Sequence, residues 1–122
     1  MKYEYFDTND DCIVRTFIKI FNEGSNNIKN RLLSISNLLG YNNYAEIDVF
    51  EKYIYDNGYK LLDYKNMLVR DLKLDRKKYI VFCYKDDFYH LLPIINNTVY
   101  DKDEGSLDLV VLKVYGRDYD RY

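Results

Sequence analysis

The stretch Tyr79-Ile80-Val81-Phe82-Cys83-Tyr84-Lys85-Asp86-Asp87-Phe88-Tyr89-His90-Leu91-Leu92-Pro93-Ile94-Ile95-Asn96-Asn97-Thr98-Val99-Tyr100-Asp101 decides the fold. It is dense in β-branched and aromatic residues and is cut by two polar dipeptides, Asp86-Asp87 and Asn96-Asn97. Such runs read as strands and such dipeptides as tight hairpin turns. Strands are expected at 79–84, 88–95 and 98–101, followed by a fourth at 107–115. Two-residue turns fix the register. Cys83 then faces His90, Ile95 faces Thr98, Leu92 faces Asp101, and His90 faces Asp103. Side chains alternate with period 2, so His90, Leu92, Asp101 and Asp103 share one face. A one-residue slip would move the acids to the other face.

Upstream the period changes. Asn9-Asp10-Asp11 are good N-cap types, and Ile13, Phe17 and Ile20 recur on one helical face up to Asn22-Glu23-Gly24. A second helix opens at Ser25, carries Ile28, Leu32, Ile35 and Leu39, and stops at Gly40. A third begins after Asn43, with Glu46 placed as in a capping box, and ends at Asn57-Gly58. A short strand is expected at 59–62 and a helical turn or two at 66–72. Helices followed by an antiparallel meander read as α+β. The expectation is one domain over 1–122, with a helical half at 1–58 and a sheet half at 59–122 carrying about four strands.

Composition narrows the function. The chain has 122 residues, 48% of them hydrophobic, with a formal net charge of -2. This excludes a disordered tail and argues against a nucleic-acid binder. No basic segment followed by an apolar one opens the sequence, and no apolar run nears the roughly 18 residues of a membrane span. A cytoplasmic protein with no membrane association is expected, with Cys12 and Cys83 as free thiols. One His and two Cys cannot close a zinc site without carboxylates, so no metal or cofactor is expected. They can make one Cys–His pair.

Cys12 falls in the first turn of the first helix, where unpaired N–H groups and the macrodipole favour a thiolate. Asp10 and Asp11 oppose it. His90 has Asp101 diagonal to it and Asp103 across, and either carboxylate would hold its tautomer and favour imidazolium. Cys83 is a rival thiol opposite His90, but mid-strand and without a helix dipole it reads as a core residue.

The segments Asp11-Cys12-Ile13-Val14-Arg15 and His90-Leu91-Leu92-Pro93-Ile94-Ile95-Asn96-Asn97-Thr98-Val99-Tyr100-Asp101 resemble the papain-like cysteine peptidase superfamily. More narrowly, they resemble its small bacteriophage and bacterial members related to bacteriocin-processing (C39-like) peptidases. Residues 43–60 look like the helical insert and strand entry of those proteins. The resemblance implies a papain-like fold, with N-terminal helices packed on the sheet. It also implies a peptide or related acyl substrate and a triad of Cys12, His90 and Asp101. The superfamily's oxyanion-hole Gln has no counterpart, since the chain contains no Gln and Phe6 stands near that place. Asn9 or Thr8 could supply a side-chain donor beside the Cys12 N–H. The small residues that usually follow the Cys are replaced by Ile13-Val14.

A second reading is a catalytically silent papain-like domain that binds protein. A chain rich in Asn, Ile, Lys and Tyr fits an AT-rich, phage-type genome, and its 15 Tyr suit an interface. Such a protein would block a host factor in the host cytoplasm, as an anti-defence inhibitor does. Equally, the Tyr can trim a core. A third reading is a single-stranded nucleic-acid binder, using Tyr stacking and the seven Lys/Arg of residues 60–78. It is the weakest, because the overall balance is acidic.

Overall fold

A computed structural model describes residues 1–122. It is α+β, with three helices ahead of most of a mainly antiparallel sheet. The order is β1 (Lys2–Tyr5), α1 (Cys12–Phe21), α2 (Ser25–Leu39), α3 (Ile47–Asp56), β2 (Lys60–Leu62), β3 (Lys78–Lys85), β4 (Phe88–Ile95), β5 (Thr98–Asp101) and β6 (Val110–Gly116). The six strands lie in the order β1-β5-β4-β3-β6-β2.

The central hairpins follow from their turn chemistry. Asp86, Asn96 and Asn97 take φ of 54°, 51° and 60°. Asp and Asn tolerate this left-handed region best among residues with a Cβ, and it matches the twist of a two-residue hairpin. The resulting register pairs Cys83 with His90 and Ile95 with Thr98, as the sequence predicts.

Each face of the sheet carries its own core. On one side Ile80, Leu91 and Tyr115 meet Val14, Phe17 and Ile20 of α1, Ile28 and Leu32 of α2, and Val49, Phe50 and Ile54 of α3. On the other, Val81, Cys83, Leu92, Ile94, Val99, Val111 and Val114 are covered by Val69, Leu72, Leu107 and Leu109 from the connecting segments. This two-sided burial explains the near-continuous apolar character of β3 and β4.

Four expectations are corrected. The sheet has six strands where about four were expected. One extra strand, β1, lies in the expected helical half and pairs parallel to β5. It is a short edge strand whose pairing partner is distant in sequence, which local patterning does not reveal. The capping box at the third helix does not form. Asn43 Oδ1 instead accepts the Ala45 N–H, and α3 starts at Ile47 with Glu46 giving no side-chain cap. Residues 107–109 are not strand, because Asp103 Oδ1 caps the Gly105 N–H and starts a 3-10 turn over Glu104–Asp108.

Candidate active site

The chain enters α1 directly from β1. Asp7 Oδ1 accepts the Thr8 and Asn9 N–H groups, and Asn9 takes φ 61°, which turns the backbone toward the helix. Asp11 is the N-cap, its Oδ1 accepting the Val14 N–H at 2.9 Å and its carbonyl the Arg15 N–H. Its other oxygen accepts from Tyr44 Oη. Cys12 is thus the first residue of α1. The Cys12 and Ile13 N–H groups have no intrahelical acceptor at that end. Thr16, one turn on, donates from Oγ1 to the Leu91 carbonyl at 3.0 Å and ties α1 to β4 beside His90.

The β4–β5 ladder runs through Ile94–Val99 and Ile95–Thr98 and stops there. The expected Leu92–Asp101 and His90–Asp103 pairs therefore do not form. Asp103 turns away to cap the 3-10 segment, leaving Asp101 as the acid beside the ring. His90 Nε2 meets Asp101 Oδ2 at 2.5 Å. Nδ1 remains as the nitrogen for the Cys12 thiol, which lines one pocket with the imidazole.

Asp101 is 2% exposed, and both its carboxylate oxygens are engaged. Ser106 Oγ donates to Oδ2 alongside His90. Oδ1 accepts from Arg15 Nη2 at 3.0 Å and from the Lys102 N–H at 2.9 Å. Arg15 itself is 3% exposed and also donates to the Asp10 carbonyl at 3.2 Å. Its guanidinium links the helix that begins at Cys12 to Asp101. Sequence reading missed it. The Arg–Asp pair spans 86 positions, and nothing local marks Arg15 as inward-facing.

The electrostatics favour an ionised pair. Burial would raise the Cys12 pKa, but His90 and the Leu91 backbone outweigh it and hold the thiol below its ordinary value. Burial would lower the His90 pKa, but hydrogen bonds to Asp101 and Cys12 raise it to about 9. Asp101, although buried, is held below the usual carboxylate range by His90, then by Ser106 and the Lys102 N–H. Arg15, Asp101, His90 and Cys12 thus form a chain of alternating sign when all are ionised.

Cys83 behaves as a core residue. It is fully buried in β3, donates to the His90 carbonyl at 3.4 Å, and burial pushes its thiol up. Asn9 is exposed, and neither it nor Thr8 is among the residues lining the Cys12–His90 pocket. Four of the seven basic side chains at 60–78 are engaged. Lys60 and Arg76 reach Asp118, Arg70 reaches Asp108, and Lys78 donates to the Ile20 carbonyl. The Tyr excess is divided. Tyr53, Tyr59, Tyr79 and Tyr115 are buried, whereas Tyr5, Tyr55, Tyr89, Tyr119 and Tyr122 are exposed. No group of His, Cys, Asp and Glu forms a candidate metal site. No helix is long and apolar enough to cross a membrane.

Comparison of the chain with protein-family models, with curated proteins and with solved structures finds no match.

Proposed function

We propose that the chain is a papain-like thiol acyl hydrolase acting on a peptide or related acyl substrate, with Cys12 as nucleophile, His90 as proton carrier and Asp101 as the acid that orients it. One observation carries the reading. The helix-start thiol and the single histidine line one pocket, while the ring's Nε2 is held by a buried carboxylate. A nucleophile, a base and an orienting group are the parts such chemistry needs.

The Cys12 thiolate attacks the carbonyl carbon. The Cys12 and Ile13 N–H groups, which have no intrahelical acceptor, are the donors available to the oxygen that becomes negative. The bond to the leaving group breaks as His90 delivers its proton, leaving a thioester on Cys12. Water then attacks that thioester and gives its proton to His90, and the thiolate departs from the carboxylic acid product.

The test is alkylation by iodoacetamide from pH 5 to 9, with Cys12 and Cys83 resolved by mass spectrometry. Cys12 should react well below the pH at which a free thiol ionises, and His90→Ala should abolish that low-pH arm. Cys83 should remain unmodified while the protein is folded. Equal, free-thiol-like pH profiles for Cys12 in both proteins would refute the activated pair.

A second reading, the silent protein-binding domain, gains from the position of Asn9 and Thr8, the side-chain donors the sequence offers for the oxyanion, outside the pocket lining. Under it, Cys12→Ala retains the biological effect.

A further inference from the structure

The pocket that Cys12 and His90 line has a volume of about 540 Å³. Eight of its ten lining residues are hydrophobic. Ala45, Ile47 and Phe50, at and just before the start of α3, form one wall. Phe82, Tyr89 and Leu91 of the sheet form the other. Apart from the Cys12–His90 pair, the charged residue in the lining is Asp11, which has one oxygen on the Val14 N–H and the other on Tyr44 Oη, so it is already satisfied. The wall residues thus offer a substrate little except apolar contact, and the Asp11 charge opposes an anionic one.

Cys12 is itself part of the pocket lining, so a carbonyl under attack by its sulfur lies against these walls. Whatever is bonded to the carbonyl carbon under attack lies next to that sulfur, and it stays there through both halves of the reaction. A leaving group stays only for the first.

We infer that the substrate carries an uncharged apolar group, of the order of a branched aliphatic or aromatic side chain or a medium alkyl chain, on the acyl side of the bond to be broken, and that this pocket holds it. The inference rests on the thiol-hydrolase reading and adds the class of acyl group. An apolar amino-acid side chain and a fatty acyl chain share this chemistry. The volume accommodates either, since a cavity of roughly 150 Å³ already holds a benzene ring.

The experiment uses stoichiometric labelling, so it does not depend on turnover. α-Chloroketones R–CO–CH2Cl alkylate a thiolate with loss of chloride. R is varied through methyl, propyl, hexyl, benzyl and 2-carboxyethyl. Rates at Cys12 are read by intact mass at pH 6 and divided by the rate with glutathione. A second arm uses chloromethyl ketones of N-blocked Leu, Phe and Asp, which distinguishes a side chain from an alkyl chain.

Burial of one methylene is worth about a fourfold gain. Five added methylenes, partly buried, should give hexyl at least about a 30-fold advantage over methyl. The 2-carboxyethyl compound should be slower than propyl. Ala45→Trp replaces an exposed residue at the rim and should bring the hexyl-to-methyl ratio below about three. Its thermal melt checks that it has folded, and Ile47→Ala, which widens the same wall, should favour the benzyl compound. A flat series in R, with Cys12 still reacting faster than glutathione, would overturn the apolar-group inference and leave the nucleophile standing. No acceleration of Cys12 with any compound would overturn both.

Discussion

Arg15→Met removes the positive end of the buried chain Arg15–Asp101–His90–Cys12. The wild-type guanidinium is 3% exposed, and Asp101, 2% exposed, accepts from it at 3.0 Å. Met fills similar volume, so the packing loss is small and the electrostatic loss dominates. Removing one partner of a buried pair costs about 3–5 kcal/mol, because the other charge stays buried without it. His90, Ser106 and the Lys102 N–H still serve Asp101, so the lower end applies, about 3 kcal/mol. The unfolding entropy of a chain of 122 residues is roughly 0.26 kcal/mol/K, so the melting temperature should fall by about 12 °C. The assay is chemical denaturation with a double-mutant cycle. Asp101→Asn should be destabilising alone, and Arg15→Met/Asp101→Asn should cost at least about 1.5 kcal/mol less than the sum of the two. Arg15→Lys, which restores the charge without the fork, should lie between Met and wild type. A cost below about 1 kcal/mol for Arg15→Met, or additivity in the cycle, would refute the reasoning, because either result means that the ion pair does not hold the acid.

Three further outcomes are expected. His90 is the single histidine, so its ring is resolved without assignment by nitrogen-detected NMR; it should titrate near pH 9 and at lower pH in Cys12→Ala. Stability should follow the same groups. The folded pKa of His90 lies above its unfolded value near 6.5, so its contribution is complete below pH 6.5 and fades toward pH 9. Cys12 runs the opposite way, its lowered pKa adding stability that is complete above pH 9 and fades on acidification. Cys12→Ala removes the opposing contribution and leaves a reduced His90 one, so its stability should fall more steeply than that of wild type between pH 6 and 9, by urea denaturation at each pH. Gly116→Ala should cost about 1–3 kcal/mol. A Cβ there would stand 2.9 Å from Leu62 Cδ1 and 3.2 Å from Arg76 Cδ, where β2 meets β6; a melting temperature unchanged from wild type would count against that packing.

The sheet and helices were legible wherever local chemistry decides them. Asp and Asn at the hairpin tips, the Asp11 cap and Gly40 each act within four residues, and the elements they delimit stand where the sequence puts them. The missed features are non-local. Strand β1 is a strand only because β5 offers it an edge, and its four residues carry no pattern beyond one alternation. An extended β4–β5 ladder puts Asp103 across from His90, but the ladder ends at Ile94–Val99. Once the strands part, side-chain alternation no longer fixes which acid reaches the ring.

That parting is also what makes the site. A continued ladder would pair Leu92 with Asp101 and draw β5 along β4. Instead the β4 backbone at Leu91 accepts Thr16 of α1, and Asp101 accepts Arg15 from the same helix. Adjacent residues of one helix, Arg15 and Thr16, therefore grip β5 and β4 separately, and Cys12 lies one turn ahead of them. The position of Cys12 is set by two contacts on its own helix, to the strands that carry Leu91 and Asp101. Breaking only the neutral contact, with Thr16→Val, should cost about 1 kcal/mol as one net hydrogen bond. It leaves Arg15–Asp101 intact, so the His90 titration should move little. In Arg15→Met both the stability and the His90 titration should change. If Thr16→Val moves the His90 pKa as far as Arg15→Met does, then helix placement rather than charge sets the pair, and Arg15 acts only as a strut.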